Sequence, residues 1–233
     1  MTVNISYRFN FADGAHFRID VDAQRNTSTG VDPEQETGAD LPEWTRLEFR
    51  RCPNCPLSPS EHRHCPTARD LVPTIGAFAK VISYHEARVE VVMPERVVSR
   101  QCQAQDALGS LVGLIMASSA CPILGRMRGL ALTHLPFASL EETLLRGVGA
   151  YLVRQLLLHK QGKEADWELA GLKAHYADLE VLNRAFKRRI NAAVEQDAAL
   201  NAVSAWGIVS SGVGFSIDDH LVDLEPLAFA APA

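Results

Sequence analysis

Four of the five cysteines in this 233-residue chain are followed directly by proline: Cys52-Pro53, Cys55-Pro56, Cys65-Pro66 and Cys121-Pro122. With proline at about one residue in twenty, chance produces such a set in on the order of a few sequences in 10⁵. Proline has a physical use in that place. It fixes φ, removes a competing backbone N–H and stiffens the turn that aims the preceding thiol, as at the Cys-Pro ends of iron–sulfur ligand runs. The start of the chain, Met1 to Phe11, shows no basic flank followed by an apolar run. We read it as lacking a signal peptide and belonging to a cytoplasmic protein, where cysteines are not expected to form structural disulfides.

The spacing sharpens the chemistry. Cys52-x2-Cys55 is a knuckle, in which one tight turn points two thiolates at one ion, and Cys65 follows with His62 and His64 beside it. Pro66 and Pro122 each suit the first position of a helix, which predicts Cys65 and Cys121 at helix N-termini, where the dipole favours thiolate. For Zn²⁺ the candidate ligands are Cys52, Cys55 and Cys65, with a fourth from Cys121 (a Cys₄ site), from His64 (Cys₃His) or from His134. Cys121 is the first choice, because it carries the same proline and would tie the two halves of the chain together. An iron–sulfur cluster takes the same four cysteines, and a metal-free redox pair at Cys52 and Cys55 is a third possibility. Cys102 lacks the proline, lies in a strand pattern and is assigned to the core.

The remaining sequence predicts an α+β fold: a small antiparallel sheet with a crossing helix, followed by an α-helical bundle. Ile5, Tyr7, Phe9 and Phe11 alternate with polar residues, Asp13-Gly14 supplies a turn, and Phe17, Ile19 and Val21 resume the alternation, which describes a hairpin. Residues 22–43 hold almost nothing apolar and read as a long loop that contributes no core. Trp44, Leu47 and Phe49 suggest a third strand, and Val89 to Met93 with Val97 to Cys102 a second hairpin. A helix is expected from Thr67 to Ser83, its start blurred by Pro73, which fits only a first turn. The sheet and cysteine region thus occupies 1–103, a helical region 104–223, and a frayed tail 224–233.

In the helical region, Asp106 to Ser119 reads as a helix packed on all sides, with Gly109, Gly113 and Ala117 as a close-packing ridge. The uncharged run from Ala107 to Gly125 is interrupted by Pro122 and serines, so a membrane span is rejected. Ser139 with Glu142 forms a capping-box pattern, Leu144, Leu145, Val148, Tyr151, Leu152 and Leu156 make a stripe, and Gly162 marks the exit. Leu172 to Ile190 gives a further helix whose Tyr176 and Phe186, with Trp167, read as core. Asp197 is expected to cap a last one.

The segments Arg51-Cys-Pro-Asn-Cys-Pro-Leu, His64-Cys-Pro, Ser119-Ala-Cys-Pro, His134-Leu-Pro-Phe and Asp166-Trp resemble an uncharacterised bacterial protein family, over most of the chain apart from the acidic loop and the tail. The resemblance implies no activity. No Ser-His-Asp pattern, P-loop or GxGxxG is present. Arg184, Lys187, Arg188 and Arg189 read as complementing a helix end rather than as a nucleic-acid patch, given 23 basic against 28 acidic residues. A closed four-ligand sphere leaves no position for substrate. The sequence therefore points to a metal-binding, non-enzymatic interaction or regulatory module with structural zinc, engaging a protein partner or itself, and neither nucleic acid nor membrane. An iron–sulfur or thiol-redox protein is the alternative.

Overall fold

A computed structural model describes residues 4–25, 41–78, 85–196 and, near the C-terminus, Val222, Leu224 and Glu225. Both expected hairpins form. Strands β1 (Asn4–Phe11) and β2 (His16–Asp22) turn through Gly14, whose φ of 85° suits glycine. Strands β3 (Glu86–Val92) and β4 (Val97–Gln103) make the second. The antiparallel sheet runs β2-β1-β3-β4, with Tyr7 opposite Ile19 on one side and Val91 on the other. The period of two puts Ile5, Tyr7, Phe9, Val89 and Val91 on one buried face.

Helices α1 (Pro66–Phe78) and α2 (Ala104–Ser118) cover that face. In α1, Ala68, Leu71, Ile75 and Phe78 are buried at helical spacing, and Phe78 meets Phe9 edge to face at 4.8 Å. Pro73 lies inside this helix rather than in its first turn. A proline there costs about 3 kcal/mol, an amount that burial of two of these large side chains offsets. The expected extension of this helix over 79–83 lies outside the described residues.

Helix α2 buries residues on several sides, as the uncharged run from Ala107 onward demands. Its glycine ridge does not serve close packing: a Cβ at Gly109 or Gly113 would meet nothing within 4 Å. After a short 3-10 turn (Leu124–Met127) come α3 (Arg128–Leu132), α4 (Leu140–Lys160) and α5 (Ala170–Gln196). The capping box of α4 is formed in both directions, Glu142 N–H donating to Ser139 Oγ at 3.1 Å and Ser139 N–H to Glu142 Oε2 at 2.7 Å. Leu182, Phe186 and Ile190 of α5 join the same core as the sheet, α1 and α2. A second cluster of Leu144, Val148, Leu172 and Tyr176 joins α4 to α5. Among the described residues no helix is long and apolar enough to cross a membrane.

Several expectations are corrected. Trp44 and Leu47 are buried, but in a 3-10 turn (Glu43–Thr45) and its exit rather than a strand. The expected loop over 22–43 is not wholly without core, since Ala23 is fully buried; 26–40 lie outside the described residues. Leu224, assigned to the tail, packs in the α4–α5 cluster, and the helix expected from Asp197 lies outside the described residues. Trp167, before α5, is 50% exposed, whereas Tyr176 and Phe186 on α5 are core. The stripe on α4 is likewise narrower than its sequence suggests, Leu145 and Leu156 being exposed. Truncating Phe186 to alanine is therefore expected to lower stability by about 3–5 kcal/mol in urea denaturation, and Trp167→Ala by less than about 1 kcal/mol.

Candidate metal centre

The knuckle loop enters through Arg50, whose φ of 46° is a left-handed conformation that costs a non-glycine residue about 1 kcal/mol. The Cys55 N–H then donates to the Cys52 carbonyl at 3.0 Å, closing the turn that sets both thiols on one side. Two contacts dock the turn on α5: Asn54 Nδ2 donates to the Asp178 carbonyl at 2.9 Å, and the Cys52 thiol points at the Leu182 carbonyl, 4.0 Å away.

Cys65 is brought in by a short antiparallel pairing. Its N–H donates to the Thr45 carbonyl at 2.7 Å, Leu47 N–H donates to Arg63 at 3.0 Å, and Arg46 bridges His64. Pro66 then opens α1, so Cys65 stands immediately before the helix, its carbonyl accepting from Arg69 N–H at 3.0 Å and its thiol facing the amides of Ala68 and Thr67. Cys121 stands before a turn rather than at a helix start, the 3-10 segment beginning only at Leu124, but its contacts are similar. Gly125 N–H donates to its carbonyl at 2.7 Å and the amides of Leu124 and Ile123 face its thiol. The two starts are bonded side by side through Thr67 Oγ1 and Ser119 Oγ, 2.9 Å apart. Ser119 spends its own proton on the Met116 carbonyl at 2.7 Å, so the Thr67 hydroxyl is the donor.

The result is one cavity of about 20 Å³ bordered by Cys52, Cys55, Cys65 and Cys121, with Leu47, Ile123, Leu182 and Phe186 among its apolar walls. All four proline-marked cysteines meet there, from both halves of the chain, and all are free thiols. They border the space without being gathered into a coordination sphere: among the described residues no group of three or more His, Cys, Asp or Glu is arranged to hold an ion. Burial, reinforced by the neighbouring Cys65, pushes the Cys52 thiol up to about 12. Burial takes Cys121 to about 11 against the pull of the Leu124 amide, and raises Cys65 despite Arg189. Thiols so raised are protonated at neutral pH, the opposite of what a resting redox nucleophile needs.

Arg189 is the residue that sequence reasoning missed. It is not at a helix end but within α5, and it is 1% exposed. Its guanidinium donates to the carbonyls of Trp44 (2.7 Å), Arg46 (2.6 Å) and Leu47 (3.0 Å), clamping the segment that pairs with Cys65. Burial lowers its pKa, a shift that negative charge on Cys65, Cys52 or Cys55 would oppose. A run of four basic residues on a helix gave no sign of which one turns inward; its place three positions after Phe186 and one before Ile190, both core, is the only available signal.

The histidines considered as fourth ligands do not border the cavity. His64 is buried with Nδ1 2.8 Å from Thr45 Oγ1, whose own proton goes to the Pro42 carbonyl at 2.7 Å. Cys102 is buried in the core under the sheet, as expected. His134 stands at the sheet, its Nε2 2.7 Å from the Tyr7 hydroxyl, which also meets Ser110 Oγ at 2.7 Å. Burial, with the Arg146 charge beside it, pushes His134 down to about 4 from its ordinary 6.5.

The chain belongs to the family described as a domain of unknown function, DUF6901, whose model matches residues 5–229, the loop and most of the tail included. No curated protein and no solved structure matches it.

His134 sets a pH dependence. Between its ordinary pKa and about 4 the unfolded chain binds a proton that the folded chain refuses, so stability is full above about 6.5 and is lost as pH falls. Going from pH 7 to pH 5 is expected to remove about 2 kcal/mol in urea denaturation. His134→Gln, which keeps a hydrogen-bonding group for Tyr7 and cannot be protonated, should flatten that slope; an unchanged slope refutes the assignment.

Proposed function

We propose that Cys52, Cys55, Cys65 and Cys121 bind one metal centre that joins the knuckle loop, the start of α1 and the turn before α3. The observation carrying this reading is that the four cysteines marked by proline, and not Cys102, border a single apolar cavity next to a buried guanidinium. Four thiolates close the coordination sphere of a tetrahedral ion. The centre is accordingly structural, and the protein is a non-catalytic interaction or regulatory module acting in the cytoplasm through a protein partner or through self-association. Zinc suits this donor set and role. Hydrogen bonds from backbone amides to Cys65 and Cys121 support thiolates in those positions, since each amide stabilises sulfur charge.

A second reading has its own support. An iron–sulfur cluster is held by four cysteines as readily as zinc is, and the cavity these four border is apolar.

Metal and acid-labile sulfide content of anaerobically purified protein separates the two. One zinc per chain without sulfide fits the first reading, iron with matching sulfide the second, and a chain that neither contains nor takes up metal refutes both. Cys121→Ser should weaken retention by more than the roughly 10–100-fold that losing an outer hydrogen-bond partner costs. Cys102→Ala should leave metal content unchanged.

A further inference from the structure

Arg189 presents an electrostatic problem that the hydrogen bonds do not solve. Its side chain is among the largest fully buried ones, stacked on Phe49 with the guanidinium carbon 6.0 Å from the ring centroid. Three carbonyls solvate the cation, yet Nε is buried with no hydrogen-bond partner. Carbonyl dipoles spread a charge but do not neutralise it, and a buried cation needs an anion. Among the described residues no carboxylate forms an ion pair with Arg189. Its place is beside the cysteine cavity: Leu47, whose carbonyl it holds at 3.0 Å, and Phe186, three positions before it on α5, both line that cavity, and Cys65 is bonded to Thr45 within the clamped segment.

We propose that Arg189 is the buried counter-charge of the four-cysteine centre, so that filling the centre and docking the inner face of α5 on residues 44–47 are one coupled equilibrium. The inference rests on the metal-binding reading above. When a divalent ion enters, four thiols release four protons and the M(SCys)₄ unit carries a net charge of 2−; no electrons move. The guanidinium then faces an anion across a medium of low dielectric, where the attraction is strong. Loss of the ion returns four neutral thiols and leaves the cation with dipoles alone, which weakens its hold on the carbonyls of Trp44, Arg46 and Leu47. The segment that positions Cys65 loosens in turn. Metal status is thereby transmitted to a helix distant in sequence from all four ligands. Arg189 acts through the ligands, as a positioning residue.

Two substitutions in the full chain separate charge from hydrogen bonding. Arg189→Lys keeps the charge and loses the planar fork, whereas Arg189→Gln keeps an amide donor for a carbonyl and loses the charge. Each protein is loaded with Co²⁺, or with iron and sulfide if that is the form the wild type takes up, and the rate of metal loss to a chelator is followed. We expect Arg189→Lys within about threefold of wild type and Arg189→Gln at least tenfold faster. Equal rates in all three proteins, or equal acceleration in both variants, overturn the proposal while the metal centre stands. Should either variant fail to fold, hydrogen exchange of the wild type decides. Removal of the metal should speed exchange at least tenfold in the turn of α5 around Arg189 and in residues 44–49, and unchanged exchange there overturns the coupling. A wild-type chain that takes up neither Co²⁺ nor iron and sulfide overturns the metal-centre reading itself.

Discussion

Thiols at positions as far apart as 52 and 121 share a cavity because the starts of two helical segments lie side by side. The bond between Thr67 and Ser119 is the link: one residue follows Pro66 at the head of α1, the other ends α2 and leads into Cys121. Each proline begins a helical turn, which leaves the preceding cysteine facing free amides. The knuckle loop and the 45–47 segment complete the enclosure from the opposite side, anchored on α5 by Asn54 and Arg189. The sheet takes no direct part. It is the platform on which α1 and α2 are held at the right separation by Phe9, Tyr7, Val89 and the helix residues packed against them.

The apolar surroundings of this junction act against charge of either sign. Burial holds the thiols of Cys52, Cys65 and Cys121 in the neutral form, and the same burial disfavours the Arg189 cation. Neutral thiols do nothing for the cation. A metal ion resolves both difficulties together, because it replaces protons on sulfur and leaves a net negative unit beside the guanidinium. That economy, more than the knuckle spacing alone, is the physical ground for the proposed centre. It also weighs against a metal-free redox pair, which needs lowered thiol pKa values rather than raised ones.

The local rules written in the sequence correspond closely to the structure where one residue type satisfies one geometric need. The alternation in β1, the Asp13-Gly14 turn, the Ser139–Glu142 capping box and the proline after Cys65 are of this kind. Where competing energies decide, the pattern misleads. Trp44, Leu47 and Phe49 look like a strand, yet among the described residues the segment pairs with 63–65 over one bridge and otherwise bonds to its own turn and to the Arg189 guanidinium. Pro73 is accepted inside α1 because its helix face is buried on both sides of it. Gly109 and Gly113 read as a packing ridge, although that side of α2 has open space. The candidate ligands were legible because proline marks them. Arg189 was not, since the direction of one arginine among four basic neighbours depends on the rotation of α5, which only the apolar residues around it reveal.

The central claim is that the four proline-marked cysteines surround one metal centre. X-ray absorption at the edge of the metal bound to the purified chain reads the ligand atoms directly. The account predicts only sulfur in the first coordination sphere, at about 2.3 Å, with four cysteine sulfurs per centre. A sphere dominated by nitrogen or oxygen, or one unchanged when Cys121 is replaced by serine, would contradict it.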